Sequence, residues 1–396
     1  MGLELNKLSE QVNKMGATVA SRSAEIEARL PKARATLEKI TNNDPVLEKK
    51  IERALSMNWT GAIPTSEPVH EVFPCPKHPD RANVAAADGS QVYPDRHGIA
   101  IYYLINTGSI IFRHGLDEAP ICSSYPSLFY EDHDLYPNEV LIPSSLVNAR
   151  RDIAELRELA QIAEREIKTA PTLLMLDNGL LLYLGLQTAE HRQSEEILGE
   201  YLETLGEIES TNACIAGVID RPRAANVLRL LRLYDMENDM FNTDELRSLG
   251  NYSQLTDRML FGTLQPGERS AIFVNASPQN LERYMPMGQK IMFYYVNAGT
   301  RDQSVILRVE IPEWVANQPE QLSLTHSGIV EQARFGNGYP YVLIRSHELA
   351  VVSWTERGHL DEMVGGSMRR SGLSAVISRK AQGKQWTNSA KRRYGQ

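Results

Sequence analysis

Three apolar runs that each end at an aspartate constrain the fold of this chain most strongly. The runs and their aspartates are 83–87 with Asp88, 173–176 with Asp177, and 213–219 with Asp220. Stretches with the apolar periodicity of helices separate the runs, over 145–168 and 190–208. Strands that alternate with helices in this way predict an α/β fold with at least some parallel strands.

The first 58 residues predict an N-terminal helical arm. Apolar residues recur at spacings of three and four, beginning with Leu5, Leu8 and Val12, and Pro31 interrupts the pattern. Such an arm either packs on its own domain or forms a short coiled coil with a second copy, and the pattern leaves both open. Five prolines within 59–82 predict a connector without regular structure.

Residues 83–366 are expected to form the main folded body. Within it, 99–105 and 109–112 flank a Thr-Gly pair and predict a β-hairpin, which places Asp88 at a strand end ahead of a meander. The segment 235–265 is polar and irregular. Beyond it, strands are expected over 270–275, 290–297 and 304–311, and helices over 319–335 and 339–364.

Composition indicates a soluble protein of the cytoplasm. Hydrophobic residues make up 42% of the chain and charged residues 23%, and no apolar run approaches the roughly 18 residues of a membrane span. The N-terminus has neither a basic start nor an apolar segment, so no secretory signal is expected. Cys75 and His78 have metal-like spacing, but no second pair accompanies them, so a zinc site is not predicted.

The charge of the chain is unevenly distributed. The last thirty residues, 367–396, contain eight lysines and arginines and no acidic residue, so they carry +8 while the rest carries −16. A basic tail on an acidic body can contact phosphates, and a charged terminus can equally be solvated and flexible. Charge alone leaves these two interpretations open.

Several residues are of the type that binds divalent metal ions. Asp88 and Asp177 follow apolar strands, and carboxylates are hard ligands suited to Mg²⁺ and Mn²⁺. Glu155 and Glu158 share one face of a helix, and His347 ends an apolar stretch. Each has an ordinary explanation as well, because Asp-Gly pairs form turns, helices carry surface glutamates, and a lone histidine is more often a core or surface residue.

Six segments taken together make the sequence similar to the NurA nuclease family. In order along the chain they are AAADGSQ, LDNGLLLY, GVIDRPRAANVLRLL, DRMLFGTLQPGERSAIF, VILRVEIPEWVA and GYPYVLIRSHELAV. The similarity spans residues 88 to 363, and six family-like segments in the right order are far more specific than an isolated Asp-Gly-Ser. It implies an RNase H-like mixed sheet flanked by helices, with 83–366 as the nuclease domain and the arm and inserted β and irregular segments as additions.

The resemblance also implies a metal site. Its ligands would be the first aspartate, a helix glutamate, a second aspartate and a C-terminal histidine, which correspond to Asp88, Glu155 or Glu158, Asp177 and His347. These residues would hold Mn²⁺ or Mg²⁺, with two ions per site. The sequence departs from the family pattern at the second aspartate, where Asn178 precedes Gly179.

Further positions are expected to handle substrate. Tyr339 matches a family tyrosine shortly before the histidine, and its expected role is to orient substrate or water. Ser90, Arg221 and Arg223 are the expected substrate-binding positions. The two arginines can hold a phosphate through charge-assisted hydrogen bonds.

The activity implied by the resemblance is that of a metal-dependent DNA nuclease. It comprises 5′ to 3′ exonuclease and single-strand endonuclease action in DNA-end processing for recombinational repair, by a homodimer that partners a HerA-type hexameric ATPase. The chain lacks a Walker A motif, so any motor activity belongs to another protein. The alternative is a catalytically inactive scaffold that binds DNA and a translocase, and metal-dependent cleavage separates the two.

Overall fold

A computed structural model describes residues 5–137, 139–182, 191–237 and 241–373. Its helices are α1 (Ser9–Glu27), α2 (Leu30–Lys39), α3 (Pro45–Leu55), α4 (Asp132–Leu135), α5 (Ser144–Glu166), α6 (His191–Thr211), α7 (Asn226–Tyr234), α8 (Thr243–Arg247), α9 (Asp257–Leu260), α10 (Glu313–Ala316), α11 (Pro319–Phe335), α12 (Tyr341–Ala350) and α13 (Trp354–Arg370). Its strands are β1 (Ala62–Pro64), β2 (Val72–Phe73), β3 (Ala82–Val92), β4 (Tyr103–His114), β5 (Ile121–Phe129), β6 (Thr172–Leu176), β7 (Cys214–Ile219), β8 (Arg269–Ser270), β9 (Phe273–Asn275), β10 (Ile291–Asn297) and β11 (Ile306–Pro312).

The chain divides into two compact units, and each is built from several segments. The first unit comprises Met1–His78, Asn178–Leu181 and Ile215–Pro340. The second unit comprises Pro79–Asp177, Leu182–Cys214 and Tyr341–Gln396. The second unit therefore contains Asp88, Glu155, Glu158, Asp177 and His347.

The second unit has a mixed sheet with the strand order β5-β4-β3-β6. Strands β3, β4 and β5 form an antiparallel meander. Helix α5 then returns the chain so that β6 lies parallel to β3 on its other side. A meander followed by a crossover helix and a parallel strand beside the first strand is the RNase H-like arrangement, so the predicted fold class is confirmed.

Helices α5 and α12 lie against opposite faces of β3. Successive side chains of a strand alternate between faces, so neighbouring residues of β3 point to different helices. Ser90 points to α12, where its hydroxyl donates to the carbonyl of Ala350 at 2.5 Å. Gln91 points to α5 and accepts from Arg151 at 3.3 Å. The apolar start of the strand, Val84 to Ala87, is fully buried. Asp88 and Gly89 are the first residues beyond this apolar start.

The predicted hairpin around Thr107 and Gly108 was wrong, because both residues lie in the middle of β4. A β-carbon on Gly108 would come within 2.4 Å of the backbone nitrogen of Ala350 and 2.7 Å of the carbonyl oxygen of Ser346. The glycine permits the close approach of α12 to the sheet, and it does not mark a turn.

The expected strand end at Asp88 was also wrong, since β3 continues to Val92 and pairs with β4 along its whole length. Only the parallel pairing of β3 with β6 ends before Asp88. Ala87 lies opposite Leu176, the last residue of β6. Asp88 is thus the first residue of β3 beyond its parallel neighbour.

The first unit has strands in the order β1-β9-β10-β11-β7, and β8 pairs with both β10 and β2. Residues of α2 and α3, including Ala33, Leu37 and Ile51, belong to the same buried core as α7. The helical prediction for the arm is confirmed, and α2 and α3 pack on their own unit. Helix α1 buries no residue. The connector was expected to lack regular structure but contributes β1 and β2, whose partners are β9 and β8.

The first residues of the predicted basic tail belong to a helix. Residues 367–370 form the last turn of α13, and residues 374–396, which hold most of the basic charge, lie outside the described residues. Within the described part of the chain, no helix is long and apolar enough to cross a membrane.

His326 in the first unit gives a testable pH dependence. The ring is 2% exposed and its Nε2 lies 2.8 Å from the carbonyl oxygen of Gly267. Burial lowers the pKa of His326, the Gly267 carbonyl opposes this shift, and the charge of Arg269 adds to it, so that the pKa is about 4. Because the unfolded chain binds this proton more readily, folding stability is lost as pH falls from about 6.5 through about 4.

We expect the wild type to lose about 2 kcal/mol more than His326→Gln between pH 7 and pH 5. Urea unfolding at both pH values measures the difference. His70→Gln, at an exposed histidine of the same unit, should keep the wild-type pH dependence. Equal losses in the wild type and His326→Gln would refute the assignment.

Candidate active site

A carboxylate and an imidazole meet where β3 passes α12. Oδ2 of Asp88 lies 2.6 Å from Nδ1 of His347, and Oδ1 accepts from the backbone N–H of Gly89 at 2.8 Å. The Asp88 side chain is 17% exposed and that of His347 is 63% exposed. Because an ionised carboxylate only accepts, Nδ1 of His347 is the donor in this contact when Asp88 is ionised.

A buried glutamate lies on the other face of β3. Helix α5 places the Glu155 carboxylate beside Gly89, and its Oε1 is 3.1 Å from Nε of Arg151 one helical turn earlier. A β-carbon at position 89 would come within 2.7 Å of this oxygen and 2.6 Å of Cγ of Arg151. The missing side chain at Gly89 is what allows both residues to lie over the strand.

The acidic groups around Arg151 influence one another. Burial raises the pKa of the Glu155 carboxyl well above its usual range. Arg151 opposes this shift, and the carboxylates of Asp152 and Asp88 add to it. Burial also raises the pKa of Asp152, although its Oδ1 accepts from Arg151 at 2.5 Å. Asp88, Asp152 and Glu155 therefore share one poorly solvated region.

The second helix glutamate has a different environment. Oε1 of Glu158 accepts a hydrogen bond from the hydroxyl of Ser109 at 2.7 Å, and the residue is half-buried. Glu155 feels the charge of Asp88. Of the two glutamates left open by the sequence, Glu155 lies in an electrostatic environment that includes Asp88.

Asp177 stands next to Asp88 along neighbouring strands. It is exposed and follows β6 directly. Since Ala87 pairs with Leu176 in the parallel register, Asp88 and Asp177 each come directly after the last paired residue of the two neighbouring strands. The strand neighbours thus bring the two aspartates to the same edge of the sheet.

The expected substrate-handling residues are spread over both units. Ser90 belongs to the second unit, where its hydroxyl bonds to α12. Tyr339, Arg221 and Arg223 belong to the first unit. Tyr339 is half-buried just before α12, and both arginines are exposed in the turn after β7. Arg221 has a φ of +45°, which is unusual for a residue other than glycine.

The residues around Asp88 fit a divalent cation by their chemistry. When all three carboxyls are ionised, Asp88, Asp152 and Glu155 carry three negative charges against the single positive charge of Arg151. One Mg²⁺ or Mn²⁺ would neutralise the remaining charge of −2. Glu155 Oε1 is buried, and no donor in the described residues meets it with hydrogen-bond geometry. As the side chains stand, however, no three His, Cys, Asp or Glu residues of the described ranges converge as a metal site.

Sequence reasoning missed Arg151 and Asp152. The available signal was their helical spacing from Glu155, four residues and three residues respectively, which puts all three on one side of α5. The glutamate pair at 155 and 158 shows the same spacing, so the pattern alone could not choose between the two sets.

The sequence of the chain matches the NurA domain over residues 82–352. This match covers more than half of the chain and includes every element of the site in the second unit. The chain therefore belongs to the NurA domain family, and by class it is a nuclease. No curated protein matches the chain by sequence.

Several solved structures are similar to the chain at low identity. The NurA nuclease from Sulfolobus solfataricus is 12% identical over 89% of this chain and 98% of that chain, with a TM-score of 0.46. The catalytic domain of human endonuclease V is 14% identical over 82% and 99%, with a TM-score of 0.32. The type 1 RNase H named LC9-RNase H1 is 10% identical over 38% and 69%, with a TM-score of 0.21. The family assignment rests on the sequence match.

Gly89→Ala tests the packing of α5 on β3. The added methyl group would overlap Arg151 and Glu155, so we expect a loss of about 1–3 kcal/mol in the free energy of unfolding, measured with urea. The matched control is Gly199→Ala in α6, where a β-carbon meets nothing within 4 Å. That change should leave stability equal or raise it by up to about 1 kcal/mol. A Gly89→Ala protein as stable as the wild type would contradict the packing.

Proposed function

We propose that the chain is a metal-dependent deoxyribonuclease whose site is built around Asp88. The observation that carries the proposal is the gathering of Asp88, His347 and the buried Glu155 around the first strand of an RNase H-like sheet, within the region that matches the NurA domain. Asp177, directly after the neighbouring strand, completes the proposed ligand set. Glu158 is the alternative to Glu155.

The protein's own residues have separable tasks in this proposal. Asp88, Asp177 and Glu155 offer carboxylate oxygens, and His347, whose ring lies beside Asp88, offers an imidazole nitrogen. One or two Mn²⁺ or Mg²⁺ ions held there would supply positive charge to activate water and to stabilise the scissile phosphate. Such ligand contacts would confine the ions to one edge of the sheet.

The finer activity follows from the family resemblance. We propose 5′ to 3′ exonuclease and single-strand endonuclease action in the processing of DNA ends for recombinational repair. Tyr339 would orient substrate or water, and Ser90, Arg221 and Arg223 would contact the DNA backbone. From the same resemblance, the proposed assembly is a homodimer that works with a HerA-type hexameric ATPase.

Asp88→Asn tests the site directly. The change removes a charged ligand but keeps the shape of the side chain, so we expect cleavage to fall on the order of a hundredfold or more while the fold persists. The assay is digestion of DNA labelled at its 5′ or 3′ end, single- and double-stranded, with Mn²⁺, Mg²⁺ or EDTA. Circular dichroism checks folding.

The matched control for this assay is Asp244→Asn, at an aspartate whose side chain is 93% exposed in the first unit. It should cleave like the wild type. If the wild type cleaves no DNA with any metal, even with the HerA-type ATPase added, the inactive scaffold becomes the better account. If it cleaves and Asp88→Asn cleaves equally well, Asp88 is not a ligand.

Glu155→Gln and Glu158→Gln distinguish the two helix glutamates. Because Glu155 shares its environment with Asp88, we expect its variant to lose cleavage roughly as Asp88→Asn does. Glu158→Gln can still accept the hydrogen bond from Ser109 and should keep activity within about threefold. The measurement is the initial cleavage rate across a range of Mn²⁺ concentrations. The reverse order of effects would assign the ligand to Glu158.

A further inference from the structure

We propose that Arg151 is a resident cation of the acidic site, which holds the carboxylates together without metal and which a divalent ion must displace. This inference rests on the proposed function, because it assumes that metal binds at Asp88 and Glu155. It assigns a role to Arg151, which neither the family resemblance nor the comparisons assign.

Arg151 contacts side chains of both α5 and β3. Its guanidinium lies against three side chains on two elements. Nε lies 3.1 Å from Glu155, Nη2 donates to Asp152 at 2.5 Å, and Nη1 donates to Gln91 of β3 at 3.3 Å. The Arg151 side chain is 21% exposed, so solvent screens these contacts only partly. Arg151 is therefore held between α5 and β3 beside the first strand.

Arg151 supplies positive charge to carboxylates that are poorly exposed to solvent. A buried carboxylate without a counterion is strongly unfavourable, and Glu155 is 7% exposed. Arg151 is also within electrostatic reach of Asp88. The same guanidinium therefore offsets carboxylates that the proposed metal ion would itself neutralise.

Arg151 and the metal ion therefore compete for the same carboxylates. Two cations that neutralise the same carboxylates repel each other, so the ion binds more weakly while Arg151 stays in place. Removing Arg151 should therefore destabilise the metal-free protein more than the metal-loaded protein. By linkage, Mn²⁺ should bind more tightly to the variant.

The test compares Arg151→Gln with the wild type in EDTA and in Mn²⁺, without DNA. We expect Arg151→Gln to melt at lower temperature in EDTA and to gain more from Mn²⁺ than the wild type does. Titration calorimetry with MnCl₂ at pH 8 should show binding roughly tenfold tighter, the factor that one nearby unit charge costs a divalent ion in a water-like dielectric. Arg151→Lys keeps the charge and should stay within about threefold of the wild type.

Arg113→Gln is the matched control. Arg113 pairs from β4 with Glu166 of the same helix α5, at 2.8 Å, and the Glu166 side chain is fully buried. Its loss should destabilise the protein equally with and without Mn²⁺. If Arg151→Gln fails to fold in EDTA, the Lys variant and refolding of Arg151→Gln in Mn²⁺ still decide the matter, because rescue by Mn²⁺ is the expected result.

Unchanged or weaker Mn²⁺ binding in Arg151→Gln would overturn the proposal, as would an equal gain from Mn²⁺ in Arg113→Gln, or no Mn²⁺ binding to any of the proteins. Cleavage is measured separately. If Mn²⁺ binds and responds to Arg151 but DNA is not cut, the nuclease proposal fails while the role of Arg151 stands.

Discussion

The burial of the Glu155 carboxylate against β3 is the contact on which the arrangement of the site depends. It requires a strand position without a side chain, which Gly89 provides, and a helix that approaches closely enough to fill that position. Asp88, immediately before this glycine, then faces the opposite side of the strand and meets His347. Asp88 and Glu155 thus lie near each other on opposite faces of the same strand.

Both glycines of this region serve close packing. Gly89 admits side chains of α5, and Gly108 on the neighbouring strand admits the backbone of α12. The two helices press on β3 and β4 from opposite faces. Asp88, Glu155 and His347 all lie close to these two glycines.

The alternation of strands and helices was predictable from the sequence because apolar periodicity reports which face of an element is buried. The expected helix over 145–168 is Ser144–Glu166. The turn predicted at Thr107 and Gly108 was wrong, because a glycine needed for the close approach of a distant helix looks the same in the sequence as a glycine in a turn. Glu155 lies against Gly89 of β3 and Glu158 accepts from Ser109 of β4, and neighbouring sequence does not encode these contacts.

The alternation of faces along β3 makes the number of residues before Asp88 as important as their identity. Even-numbered positions there face α12, as Asp88 and Ser90 show, and odd-numbered positions face α5, as Gly89 and Gln91 show. An insertion or deletion of one residue within 83–87 would exchange the two sets if the pairing with β4 and β6 were kept. The aspartate would then be forced toward Glu155, and the glycine would face the histidine. Length changes in this family should therefore accumulate in the loops that flank this strand and spare its first half.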